Sequence, residues 1–154
     1  MWSKNSMPSN LLFSTLLLVA SLVAVDASKV SEGTTNMKIR ISIADKVVVA
    51  TVADNATARD FVSVLPLSAS MKDLFGREKY GDLPKALSGN GPRKNTFEVG
   101  DIAYWSPDHQ FAVYYHQDGE SIPLPGAIPI AKIDAGAEAF NVPGSVKVTI
   151  AVAK

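Results

Sequence analysis

Residues 100–117, GDIAYWSPDHQFAVYYHQ, hold both histidines of the chain, one of its two tryptophans and three of its four tyrosines. Metal binding is the first chemistry to weigh. His109 and His116 are seven residues apart, and zinc needs further ligands at fixed geometry. Asp108, Asp118 and Glu120 are neighbours in sequence only, so no metal site is expected. Nucleophilic hydrolysis is the second, and the chain has no G-x-S-x-G elbow to present a serine. What remains is either plain packing, with Tyr104, Phe111 and Tyr115 as core residues, or recognition at the outer groups, because Trp and Tyr offer an apolar body with a polar tip.

Strands must position these groups. Residues 101–105 and 111–116 are strand-like runs separated by Ser106-Pro107-Asp108-His109-Gln110. Successive side chains on a strand point to opposite faces. Phe111, Val113 and Tyr115 therefore share one face, and Ala112, Tyr114 and His116 the other. In the same way Ile102 and Tyr104 oppose Ala103 and Trp105.

The rest of the chain reads as short strands with two small helices. Residues 37–43 alternate apolar and polar, Ala44-Asp45-Lys46 offers a turn, and residues 47–52 are β-branched, which makes an opening hairpin. Residues 55–66 change period. Thr57 and Asp60 fit a capping box, Ala58, Phe61, Val62 and Leu65 share a helical face, and Pro66 ends the run. Asn55-Ala56-Thr57 is formally a glycosylation sequon, but at a helix start it reads as turn or capping chemistry. A strand is expected over 71–75, and Gly76-Arg77-Glu78-Lys79 mixes both charge signs as a solvated turn. A short helix is expected over 82–87. The loop 88–95 carries glycines, Arg93 and Lys94 but lacks phosphate-loop spacing and leads into a strand, so no amide nest forms. Residues 119–129 form a Pro- and Gly-rich loop, 128–133 a strand, 135–140 a short helix and 141–144 a turn. Residues 145–153 close the chain with Val146, Val148, Ile150 and Val152 on one face. Closing such strands into a barrel removes their exposed edges.

Composition narrows the setting. Lys4 is the sole charge before Asp26, residues 11–25 are nearly all apolar, and Val25 and Ala27 suit a cleavage point after Ala27. That is the pattern of a secretory signal peptide over residues 1–27, shorter than the ~20 apolar residues a spanning helix needs. The expected product is exported, periplasmic or secreted, and free of the membrane after cleavage. Residues 28–36 read as a flexible polar tail, and residues 37–153 have the size of one domain. The chain has 15 basic and 15 acidic residues. Losing Lys4 and Asp26 leaves it neutral, without the footprint of a nucleic-acid binder. The absence of cysteine excludes disulfides, thiolate metal sites and cysteine nucleophiles.

Several segments carry a family resemblance. Thr57-Ala58-Arg59-Asp60-Phe61 resembles the opening of the first cyclophilin helix, and residues 128–133 with Gly136 resemble the strand before the second. More closely, residues 37–152 resemble the small bacterial cyclophilin-like proteins. The carriers are the helix over 57–67, Asp82-Leu83-Pro84 and the G-D-I-x-Y-W-x-P turn over 100–107. The resemblance implies a mainly β fold, a cyclophilin-like closed barrel with two short α-helices. It also implies that Phe111, Val113 and Tyr115 fill the barrel, with the opposite face outside it.

Cyclophilins that isomerise X-Pro bonds set a strand arginine, in an F-H-R context, against the prolyl carbonyl, stabilising a twisted amide. No F-H-R occurs here, and Arg77 is the nearest candidate by order. Ala112 stands where the resemblance expects a pocket phenylalanine, and Ala127 where it expects a histidine. The resemblance therefore implies a non-catalytic module that takes a peptide segment or small molecule, with no cofactor and no catalytic residue assigned. Its groove candidates are Arg77, Trp105, His109, Gln110, Ala112 and Tyr114. The alternative is a divergent periplasmic peptidyl-prolyl isomerase.

Overall fold

The computed structural model describes residues 37–154; the signal peptide expected over 1–27 and the tail over 28–36 lie outside the described residues. Eight strands form a closed barrel in the order β1-β2-β7-β5-β6-β4-β3-β8. They are β1 (Lys38–Ile43), β2 (Lys46–Val52), β3 (Leu67–Leu74), β4 (Glu78–Asp82), β5 (Asp101–Trp105), β6 (Gln110–Tyr114), β7 (Ile128–Ala135) and β8 (Val146–Val152). Every pairing is antiparallel. An eight-stranded barrel is just wide enough for side chains to fill its interior. Ile39, Ile41, Ile102, Phe111, Val113, Ile130 and Ile150 do so, each fully buried.

The opening hairpin forms as the alternation predicts, with Lys38 opposite Thr51 and Ile43 opposite Lys46. Strand β3 begins at Leu67, four residues before the expected start. Its early half, Leu67 to Met71, pairs with β8, so partner geometry rather than local pattern extends it. On β8, Val148 and Ile150 point inward, whereas Val152 at the strand end is exposed.

Of the three segments expected to be helical, one is an α-helix. Helix α1 (Ala56–Ser63) plugs the barrel with Ala58 and Phe61, both fully buried. Its cap is Asn55 rather than Thr57: Ala58 N donates to Asn55 Oδ1 at 2.8 Å, while Asn55 Nδ2 donates to Pro129 O. Thr57 and Asp60 serve a tertiary purpose instead. The Thr57 hydroxyl donates to Ser88 O at 2.6 Å, and Ser88 N donates to Asp60 Oδ2 at 2.7 Å. That clamp explains why the helix expected over 82–87 does not form, Asp82 being instead the last residue of β4. Backbone groups next to this segment are satisfied by α1 side chains, and Leu87 N by the Tyr104 hydroxyl, while Leu83 and Leu87 are buried as anchors. The helix expected over 135–140 is a 3-10 turn, Ala137–Phe140. Four residues between Gly136 (φ 91°) and a Pro-Gly turn are too few for α-helical propagation.

The largest departure concerns the charged run after Gly76. It is not a solvated turn. Arg77 is 5% exposed, Glu78 6% and Lys79 0%. Lys79 lies opposite Val113 and points into the barrel end. Its ammonium donates to Asp73 Oδ1 (2.9 Å), Val142 O (2.6 Å) and Gly144 O (2.8 Å), using all three donors. Tyr115 donates to the same Asp73 oxygen at 2.6 Å. The run looked solvated because its opposite charges are adjacent in sequence; the fold instead buries Arg77 and Glu78 as a pair on the outer side and turns Lys79 inward to Asp73.

Candidate functional site

Antiparallel partners directly opposite one another share a face, so the register alone assembles a surface. Trp105 faces Gln110, Ala103 faces Ala112, Tyr80 faces Ala112, and Glu78 faces Tyr114. All are odd partners of the inward set Ile102, Tyr104, Phe111 and Val113. Three adjacent strands, β4, β6 and β5, thus present one outer face with alanines along its middle. The faces expected of Tyr104, Phe111 and Tyr115 against Ala112 and Tyr114 are the ones found: the first set lies in the barrel core, the second in a separate outer cluster with Phe97, Ile122 and Ala127.

This outer face is the floor of a groove of about 400 Å³. Ala103, Ala112 and Ala127 line it, Trp105 and Gln110 stand at one side, and Phe75, Arg77 and Glu78 at the other. Residues 122–127 form a further wall, tied down by Ile122 N to Asn95 O and by the Lys94–Ala127 bridge. Of the residues singled out from sequence, Arg77, Trp105, Gln110, Ala112 and Tyr114 come together here. His109 does not. It sits exposed in the β5–β6 turn at φ 54°, outside the lining. His116 is likewise exposed. Among the described residues no three His, Cys, Asp or Glu side chains gather as a metal site.

Each wall group is held in place. The Trp105 indole donates to Asp108 Oδ2 at 3.1 Å, and Gln110 Nε2 donates to Asp82 Oδ1 at 2.8 Å. Tyr114 stacks on Phe97 with centroids 4.3 Å apart and planes 18° from parallel. The Arg77 guanidinium donates through Nε to Glu78 Oε2 at 3.0 Å and lies 3.5 Å from Asp118 Oδ2. The Phe75 ring lies 5.5 Å from it and the Phe97 ring 5.1 Å. Two carboxylates and two rings already engage that cation.

Glu78, which sequence reasoning missed, is the unusual member. Burial raises its carboxyl above the usual range, with Arg77 pulling the other way. One oxygen, Oε2, is taken by Arg77; Oε1 accepts no hydrogen bond from the described residues, and no side-chain oxygen among them is both sealed from solvent and unpaired. Oε1 therefore opens to the groove that Glu78 lines. The Tyr114 hydroxyl is in the same position, 97% buried by residue yet making no hydrogen bond within the described residues. Burial first, then the Glu78 charge, holds that hydroxyl well above its ordinary pKa. A period-2 reading of Glu78, Tyr80 and Asp82 would have put Glu78 on the outer face; its adjacency to Arg77 and Lys79 masked that signal.

A closed eight-strand barrel with an alanine-floored groove on its outer face is the class of architecture at hand. The sequence profile of the Cyclophilin-like family matches residues 41–151, and the chain belongs to that family. Among solved structures, the solution structure of the hypothetical protein AF2241 from Archaeoglobus fulgidus is similar, with a TM-score of 0.65. It is 20% identical, and the match covers 80% of this chain and 99% of that one, a likeness of fold. No curated protein matches the chain.

Proposed function

We propose that the protein is an exported, non-catalytic binding module that takes an extended peptide segment in the outer groove. The observation that carries this is the groove itself: about 400 Å³, an apolar floor and a few convergent polar groups, the usual composition of a ligand site. Trp105, Gln110 and Tyr114 supply amphipathic contacts and the alanines leave room for a main chain. Export rests on the leader-like residues 1–27, and a secreted product beginning at Ser28 by mass spectrometry is its test.

The isomerase reading has a specific obstacle. A prolyl carbonyl needs an uncompensated cation, and the Arg77 charge is already offset by the Glu78 and Asp118 carboxylates beside it. In a protease-free proline isomerisation assay, micromolar protein is expected to give no rate enhancement; an enhancement abolished by Arg77→Ala would overturn the binding-only reading. For binding, the probe is the capped pentapeptide Ac-Ala-Leu-Nle-Leu-Ala-NH2, Nle being norleucine. Titrated into the isotope-labelled full chain, it should shift the Trp105 indole, Gln110, Ala112 and Tyr114 resonances saturably. Shifts scattered over the barrel, or none, would remove the groove as the site.

A further inference from the structure

We infer that the occupant of the groove presents a protonated lysine side chain, which the free oxygen of Glu78 meets as counter-ion; this rests on the groove being a peptide site. Three observations lead there. First, Glu78 and Tyr114 are each more than nine-tenths buried, and each keeps an oxygen unpartnered among the described residues while lining the groove. Both oxygens open to the groove rather than being sealed, so a ligand that donates to both can use acceptor capacity that the protein itself does not engage. An ammonium has three donors and no acceptor.

Second, the charge balance of the groove favours a cation. Arg77 is engaged by Glu78 and Asp118, and Asp108 adds a further carboxylate to the lining. An anionic ligand would meet the Glu78 and Asp108 carboxylates in the lining, with Asp118 behind the one guanidinium. Aromatic faces at Phe75, Tyr80, Trp105 and Tyr114 add attraction for an ammonium, and the alanine floor accepts a methylene stem.

Third, the rim is built for something longer than a small amine. The β3–β4 turn holds Phe75 at φ 57°, a region a bulky residue occupies at a cost of roughly 1–2 kcal/mol, and leaves it 76% exposed. Leu124, next to the groove-lining Pro123, is 88% exposed. Apolar side chains flanking the lysine of a peptide would cover both.

The test compares Ac-Ala-Leu-Lys-Leu-Ala-NH2 with its norleucine and glutamate counterparts and with 2-phenylethylamine, by calorimetry on the full chain. The lysine peptide should bind roughly tenfold or more tightly than the norleucine one, and its advantage should shrink as salt rises. Glu78→Gln should erase that advantage, so that the lysine and norleucine peptides then bind this variant alike. Tyr114→Phe, which keeps the ring stacked on Phe97, should reduce the advantage in a protein whose melt confirms folding. Equal binding of the three peptides overturns the lysine inference and leaves the peptide site standing. Binding by none of them overturns both. An amine that binds as tightly as the lysine peptide overturns a peptide as the occupant.

Discussion

Lys79→Met lowers the melting temperature by roughly 10 °C, corresponding to about 3 kcal/mol. The reason is the number of partners abandoned. The ammonium is fully buried and donates to Asp73, Val142 O and Gly144 O, and methionine of similar reach can fill the space but donate to none of them. Breaking a buried pair by removing one partner costs about 3–5 kcal/mol. The lower end applies because the Asp73 side chain is 31% exposed and can recover water. Adding Asp73→Asn to Lys79→Met should restore only part of the loss, since both carbonyls stay orphaned. Thermal unfolding followed by circular dichroism measures this; an unchanged midpoint would show that the cluster contributes nothing net.

The same cluster sets a pH window. Its hydrogen bond from Tyr115, chiefly, and then Lys79 hold the Asp73 carboxyl below its ordinary value of 3.8. A depressed acid contributes stability above its unfolded pKa, and that contribution is lost as pH falls through the folded value. Tyr115 runs the other way at high pH: burial, then its bond to Asp73, pushes it up to about 12. A raised phenol contributes fully below about pH 10 and is lost as pH climbs toward 12, at about 1.4 kcal/mol per pH unit. Tyr115→Phe should remove one proton's worth of that alkaline slope in urea midpoints measured between pH 10 and 12. An unaltered slope would dissociate Tyr115 from the alkaline loss.

The second large effect belongs to the groove. Ala112→Trp is expected to weaken binding of the norleucine pentapeptide by at least roughly tenfold, or 1.4 kcal/mol, with a much smaller change in melting temperature. Ala112 lies on the floor opposite Ala103 and Tyr80, so its side chain projects away from the barrel core. An indole placed there occupies the groove instead of the interior, where extra volume would cost about 1–3 kcal/mol in strain. Calorimetry and a thermal melt on the same preparation separate the two. Undiminished affinity in a folded variant would move the site elsewhere.

Much of this site was legible before any coordinates. Period-2 alternation in residues 101–116 divides interior from exterior correctly, because a strand offers only two faces and one of them must be dry. That rule places Trp105, Gln110, Ala112 and Tyr114 together. It could not place His109. A turn has no fixed periodicity, and the left-handed backbone at that residue turns it away from the groove. Nor could it find Glu78, since two neighbouring cations of opposite orientation make the run look like a solvated loop.

The sequence by itself determined a mainly β chain, its opening hairpin, the amphipathic first helix and the faces of the aromatics over residues 101–116, all of which are local periodicities. Only the tertiary structure decided which polar groups are buried. Asn55 caps the helix because Thr57 and Asp60 are drawn to the segment around Ser88, 31 and 28 residues away. Arg77, Glu78 and Lys79 are buried because partners distant in sequence, from Phe97 to Gly144, close over them. Desolvating a charge is favourable only against a specific partner, and partners brought together by barrel closure leave no mark in a local pattern.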